Sequence, residues 1–172
     1  MIYLDQAATS FPKIKEVQDA VIDCMNHCTN ANRSTSVTSL NASRLIYQTR
    51  KLIKEYFHVP QDGCVVLNSG NTESLNTCIK GILKKGDHAI TTSMEHNSVL
   101  RPLKALERYG IQHSIVRADR LGMVNPCDIE KAIQSNTKLI VVTAASNVTG
   151  SKMPLEGISL IAKKRGVALM VD

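Results

Sequence analysis

The chain has 172 residues, 43% hydrophobic and 21% charged, with 9 Gly and 5 Pro; this excludes collagen-like, low-complexity and disordered classes. No apolar run reaches the length of a membrane span, and Met1-Ile2-Tyr3-Leu4-Asp5 lacks the basic start and apolar stretch of a signal peptide. The net charge of +6 is spread along the chain, and the 4 Tyr and 2 Phe do not interleave with Arg50-Lys51, Lys84-Lys85 or Lys163-Lys164-Arg165, so neither a membrane nor a nucleic-acid partner is expected.

In chain order, Ile14, Val17, Val21, Met25 and Cys28 recur at helical spacing after Ser10-Phe11-Pro12 and predict a first helix. The Ser-, Thr- and Asn-rich stretch from Thr29 to Ser39 reads as a long loop. A second amphipathic helix carries Ala42, Leu45, Ile46, Leu52, Ile53 and Tyr56. The rhythm then changes. Short apolar runs at Cys64–Leu67, His88–Thr92, His113–Val116, Leu139–Thr143 and Val167–Val171 read as strands. Between them, helical patterns lie at Glu73–Leu83, Val99–Tyr109, Pro126–Gln134 and Leu155–Lys164, and Asn125-Pro126 makes a good helix start. Strands alternating with helices imply βαβ units: an α/β fold with a mostly parallel sheet and helices on both faces.

The 5 Cys are odd in number and scattered, which reads as reduced thiols of a cytoplasmic protein. Cys24, His27 and Cys28 share one side of the first helix, but no second ligand cluster completes a tetrahedral shell, so no metal site is expected.

In open parallel sheets, ligands gather beyond the carboxyl ends of the strands. The first predicted strand runs into Asn68-Ser69-Gly70-Asn71-Thr72-Glu73, a small-residue turn opening a helix, where free N–H groups and the Thr72 hydroxyl suit an anion. This is neither G-x-G-x-x-G nor a P-loop. His96 follows the second strand within Ser93-Met94-Glu95-His96-Asn97-Ser98; taken alone it reads equally as a surface or helix-capping residue. Asn147 lies in Ser146-Asn147-Val148-Thr149-Gly150 after the fourth strand, and Asp172 ends the fifth. An acidic residue at a strand's carboxyl end, with nothing after it, suggests a domain cut beside its active site.

Together these motifs resemble the N-terminal portion of pyridoxal-phosphate enzymes of the class V aminotransferase family, and within it the cysteine desulfurase and selenocysteine lyase type. The matching stretches are Tyr3-Leu4-Asp5-Gln6-Ala7-Ala8-Thr9, Gly70-Asn71-Thr72-Glu73, Met94-Glu95-His96-Asn97-Ser98-Val99-Leu100, Ser146-Asn147-Val148-Thr149-Gly150 and Val171-Asp172. The resemblance implies an incomplete fold-type-I large domain from residue 19 to 172, preceded by an N-terminal segment, residues 1–18. It implies pyridoxal 5'-phosphate as cofactor and a small amino-acid substrate, cysteine or selenocysteine, with sulfur removal from L-cysteine leaving alanine. A homodimer and a sulfur-acceptor protein are the partners it implies.

By that resemblance Asn71 and Thr72 hold the cofactor phosphate, and His96 stacks on the pyridine ring and assists proton transfer. Asn147 contacts the ring oxygen or the substrate carboxylate, and Asp172 pairs with the pyridine nitrogen and keeps it protonated. The family's Schiff-base lysine, persulfide cysteine and carboxylate-binding arginine lie beyond Asp172, so the chain alone is expected to be inactive. Where relatives carry Gly-Gly-His, this chain has Ser34-Thr35-Ser36, and it has Ala144 where close relatives have His. In the implied fold the first strand is separated from the others by two later strands. Cys64–Leu67 is therefore expected to associate with another chain or to take a different place. The alternatives are another class V aminotransferase or lyase, or a non-catalytic α/β module that binds an anion or a protein partner.

Overall fold

The structure, a computed structural model, describes residues 2–172. The chain divides into two compact units, one ending at Leu67 and the other running from Asn68 to Asp172. The expected division at residue 18 lies inside the first helix, α1 (Lys15–His27).

In the first unit, α1 is followed by α2 (Val37–Tyr56). The helix α1 buries no residue at all, and α2 buries only Ser39 and Ala42. Their apolar stripes, Val17, Val21 and Met25 on one and Leu45 and Leu52 on the other, remain exposed. The polar connection between the helices is held by hydroxyl groups. Ser39 Oγ donates to Asn30 O at 2.8 Å, and Asn32 N donates to Ser43 Oγ at 3.0 Å. Ser36 caps α2 by accepting from Ser39 N, so the helix begins inside the stretch that reads as a loop in the sequence.

Cys64–Leu67 is not a strand, contrary to the sequence expectation. Val66 and Leu67 stand 67% and 44% exposed. A strand needs a neighbour for its N–H and C=O groups, and among the described residues no strand pairs with this run.

The second unit is a four-stranded parallel sheet, β1 (His88–Thr92), β2 (Gln112–Val116), β3 (Thr137–Val142) and β4 (Ala168–Val171), in the order β2-β1-β3-β4. Four helices accompany it: α3 (Asn71–Ile82), α4 (Asn97–Leu106), α5 (Pro126–Ala132) and α6 (Leu155–Arg165). The side chains of a strand alternate between faces, and two separate cores result. Ala89, Leu139 and Val141 join Leu75 and Ile79 of α3 and Val99, Leu103 and Leu106 of α4. Ile90, Ile140 and Val142 join Ile129 of α5 and Ile158 and Ala162 of α6. Burial on both faces explains the unbroken apolar runs of the central strands. The helix α6 ends on Gly166 at φ 64, a left-handed position suited to glycine, whose N–H closes on Ala162 O and Lys163 O.

At the amino ends of the strands, buried His88 ties three of them together. Its Nδ1 lies 2.8 Å from Thr137 Oγ1 on β3 and its Nε2 3.0 Å from Ser114 Oγ on β2. Burial, and then the nearby His113, lower its pKa below the ordinary 6.5. Among the described residues no helix is long and apolar enough to cross a membrane.

Candidate functional site

The carboxyl ends of β1, β3 and β4 and the start of α3 supply the side chains singled out in the sequence. The α3 helix opens at Gly70 without a side-chain cap. Glu73 reaches back instead: its Oε2 accepts from Ser69 N at 2.8 Å and from Ser69 Oγ at 2.6 Å. These bonds, the hydroxyl first, hold the Glu73 carboxyl below its ordinary range. The first-turn N–H groups of α3 remain as anion donors, with the exposed Thr72 side chain beside them.

Asp172 follows β4. Its backbone continues the ladder, its N donating to Val142 O at 2.9 Å and its O accepting from Ala144 N at 2.7 Å. Its side chain accepts a hydrogen bond from Asn71 Nδ2. Residues 101 apart in sequence thus join the strand end to the first turn of α3.

His96 is exposed and caps α4. Its Nδ1 accepts from Ser98 N at 3.2 Å and lies 2.8 Å from Ser98 Oγ. Accepting at Nδ1 places the proton of the neutral ring on Nε2. A cleft of about 380 Å³ brings His96 together with Thr72, Asn76, Lys80 and Arg101. Asn147 does not line that cleft and is exposed on the loop after β3. That loop is a tight turn in which Ser146 Oγ accepts from Val148 N and Thr149 N, both at 3.3 Å.

A further acidic residue of the site, Glu95, lies beside His96 and carries no signal of its own in the sequence. This residue is only 8% exposed. Its Oε1 accepts from Thr92 Oγ1 and, at 3.0 Å, from Thr143 N, while Oε2 has no partner. Burial pushes its pKa up to about 7, against the pull of the two hydrogen bonds, and Asp172 adds to the rise.

The donor set is compatible with pyridoxal phosphate: N–H groups and a hydroxyl at a helix start for a phosphate, a carboxylate for a pyridine nitrogen, and an imidazole for a flat ring. Fold and site together define part of a fold-type-I α/β domain, with a candidate ligand crevice at the carboxyl edge of its sheet. The comparisons with known proteins agree. The aminotransferase class-V family model matches residues 2–172; the chain belongs to that family, whose members are pyridoxal-phosphate enzymes. It is 32% identical to a probable cysteine desulfurase of Borreliella burgdorferi, over 100% of this chain and 42% of that protein. With the cysteine desulfurase IscS of Dictyoglomus turgidum it shares 33% identity over 99% of this chain and 44% of that one. A solved NifS-like protein superposes with a TM-score of 0.87 at 25% identity, over 98% of this chain and 47% of the other. SspA in complex with cysteine gives a TM-score of 0.82 at 25% identity, covering 94% and 47%. The chain therefore spans less than half the length of these relatives.

Proposed function

We propose that the chain forms the N-terminal, cofactor-facing part of a pyridoxal-phosphate-dependent cysteine desulfurase, which removes sulfur from L-cysteine and leaves alanine. The observation that carries this reading is the hydrogen bond between Asn71 and Asp172. It places a carboxylate beside a helix start suited to phosphate. The names of the curated relatives support the choice of substrate.

In this reading, the first-turn N–H groups at Asn71 and the Thr72 hydroxyl bind the phosphate. Asp172, oriented by Asn71, keeps a proton on the pyridine nitrogen through a charge-assisted hydrogen bond. When bound, the protonated ring serves as an electron sink for the substrate. His96 is the catalytic residue: with Nδ1 committed to α4, it presents a flat face to the ring and an Nε2–H for proton transfer. Asn147 offers its amide to the ring oxygen or to the substrate carboxylate. The working enzyme is a homodimer that passes sulfur to an acceptor protein.

The test is a titration of the 172-residue chain with pyridoxal phosphate and, separately, with inorganic phosphate. The expected result is a change in ring absorbance with pyridoxal phosphate that D172N abolishes and that phosphate does not block at equal concentration. Equal competition by plain phosphate, with no effect of D172N, overturns the cofactor reading and favours a general anion-binding module.

A further inference from the structure

Glu95 is a buried ionisable group that the proposed chemistry leaves unused. It follows β1, and its carboxyl group reaches across to the end of β3. Two hydrogen bonds converge on its Oε1, from Thr92 Oγ1 and, at 3.0 Å, from Thr143 N, and Met94 N in turn donates to Thr92 Oγ1 at 3.2 Å. The neighbours of Thr143, namely Val142 and Ala144, are bonded to the backbone of Asp172. Glu95 and Asp172 thus hold consecutive residues at the end of β3, Glu95 binding Thr143 through its side chain and Asp172 binding Val142 and Ala144 through its main chain.

We propose that Glu95 is a positioning residue of the crevice, one that locks the loop carrying His96 onto the end of β3 and responds to the charge on Asp172. The inference rests on the reading of the crevice as a pyridoxal-phosphate site. Glu95 acts through its neighbours. Residue 96 follows it directly, so the bond to Thr143 fixes where the imidazole leaves the sheet. The charged group acting on it from the neighbouring strands is Asp172; β1 and β3 present uncharged partners, Thr92 and Thr143, and His96 adjoins it in the chain. The bare, buried Oε2 is where a proton resides when Glu95 is neutral. A cation placed on Asp172 cancels the repulsion between the two carboxyl groups and lowers the pH at which Glu95 gives up that proton. Occupation of the crevice by a pyridinium is thereby linked to proton release from a residue that never touches it.

Nuclear magnetic resonance on the full chain tests both halves of the proposal. In E95A, exchange of the Thr143 amide proton is expected to accelerate about tenfold, and the His96 amide resonance to move. E95Q, which keeps the accepting oxygen, restores both. In D172N, which keeps an oxygen to accept from Asn71, the side-chain titration of Glu95 is expected to move to lower pH. Unchanged Thr143 exchange in E95A, or failure of E95Q to restore it, overturns the positioning role. An unmoved Glu95 titration in D172N overturns the coupling, and it remains readable if E95A does not fold. A parallel titration with pyridoxal phosphate that leaves the ring spectrum unchanged overturns the cofactor reading alone, since none of these resonances depends on bound cofactor.

Discussion

The burial of Glu95 makes the stability of the fold depend on pH in a stated direction. Its pKa rises from an ordinary 4.5 to about 7 in the folded chain, so between those values the folded state binds a proton that the unfolded state has released. Stability is therefore fully present below the unfolded value and is lost as pH rises toward 7. Each pH unit of displacement is worth about 1.4 kcal/mol, so the interval amounts to about 3 kcal/mol. At 8% exposure, little solvent screening reduces that figure. For a chain of this size, about 3 kcal/mol corresponds to a melting-temperature change of roughly 6–12 °C. The perturbation is Glu95→Gln, which stays neutral at every pH. Its amide nitrogen takes the place of the unpartnered Oε2 and adds a destabilisation that does not vary with pH, so the slope, not the offset, is the quantity to read. Melts followed by circular dichroism from pH 5 to pH 8 are expected to show wild type losing stability relative to the variant, with the difference levelling off above pH 7. Parallel curves across that range would refute the reasoning.

Four other outcomes follow from the same structure. Ile140→Ala and Ile158→Ala, both fully buried in the core beside α5 and α6, should each cost about 2–5 kcal/mol in urea unfolding, while Val148→Ala, at a site 84% exposed, should change stability by less than about 0.5 kcal/mol. His88→Ala leaves the hydroxyl groups of Thr137 and Ser114 without their shared partner and should cost at least about 1–3 kcal/mol; it should also remove a loss of stability that wild type suffers as pH falls below 6.5, because the folded His88 resists protonation. Sedimentation velocity is expected to show concentration-dependent association, since β4 pairs on one side only and Val66 and Leu67 are exposed; a monomer at every concentration contradicts this. Incubation with L-cysteine and pyridoxal phosphate should release no alanine, because no lysine here matches the family's Schiff-base position; alanine formation with a borohydride-reducible adduct at one lysine would show otherwise.

The sheet was legible wherever burial shapes the sequence. Ala89-Ile90 and Leu139–Val142 are covered on both faces, and continuous apolar runs are the direct result. Asn125-Pro126 marked the start of α5 to the residue, because a cap and a missing donor are local properties. Cys64–Leu67 has the same apolar texture and was misread, because strand formation depends on a partner that no local pattern encodes. The start of α2 was placed late for a related reason: Ser36 belongs at once to the polar loop and to the helix cap. In the crevice, spacing along the chain pointed to the strand ends that carry His96, Asn147 and Asp172. Helix capping was one of the readings open for His96, and it caps α4, but the spacing did not reveal that Asn71 reaches Asp172, because hydrogen-bond partners depend on side-chain direction. Glu95 escaped notice because an acidic residue in a polar turn reads as solvated. It is instead buried, with its carboxyl group bound by Thr143, 48 positions away, just past the end of β3.

The order β2-β1-β3-β4 also describes a schedule of assembly. During synthesis β1 emerges first and β2 pairs beside it; β3 then adds to the free side of β1, and β4 to the free side of β3. Each strand joins an edge already exposed by its predecessors, and none has to be inserted between two that are paired. Each addition also completes a layer of cover, with α3 and α4 made before β3 arrives and α6 before β4. A nascent chain can therefore build this sheet outward as it leaves the ribosome without reopening a finished ladder. The carboxylate of Asp172 and its partner Asn71, made 101 residues earlier, meet only when β4 is laid down.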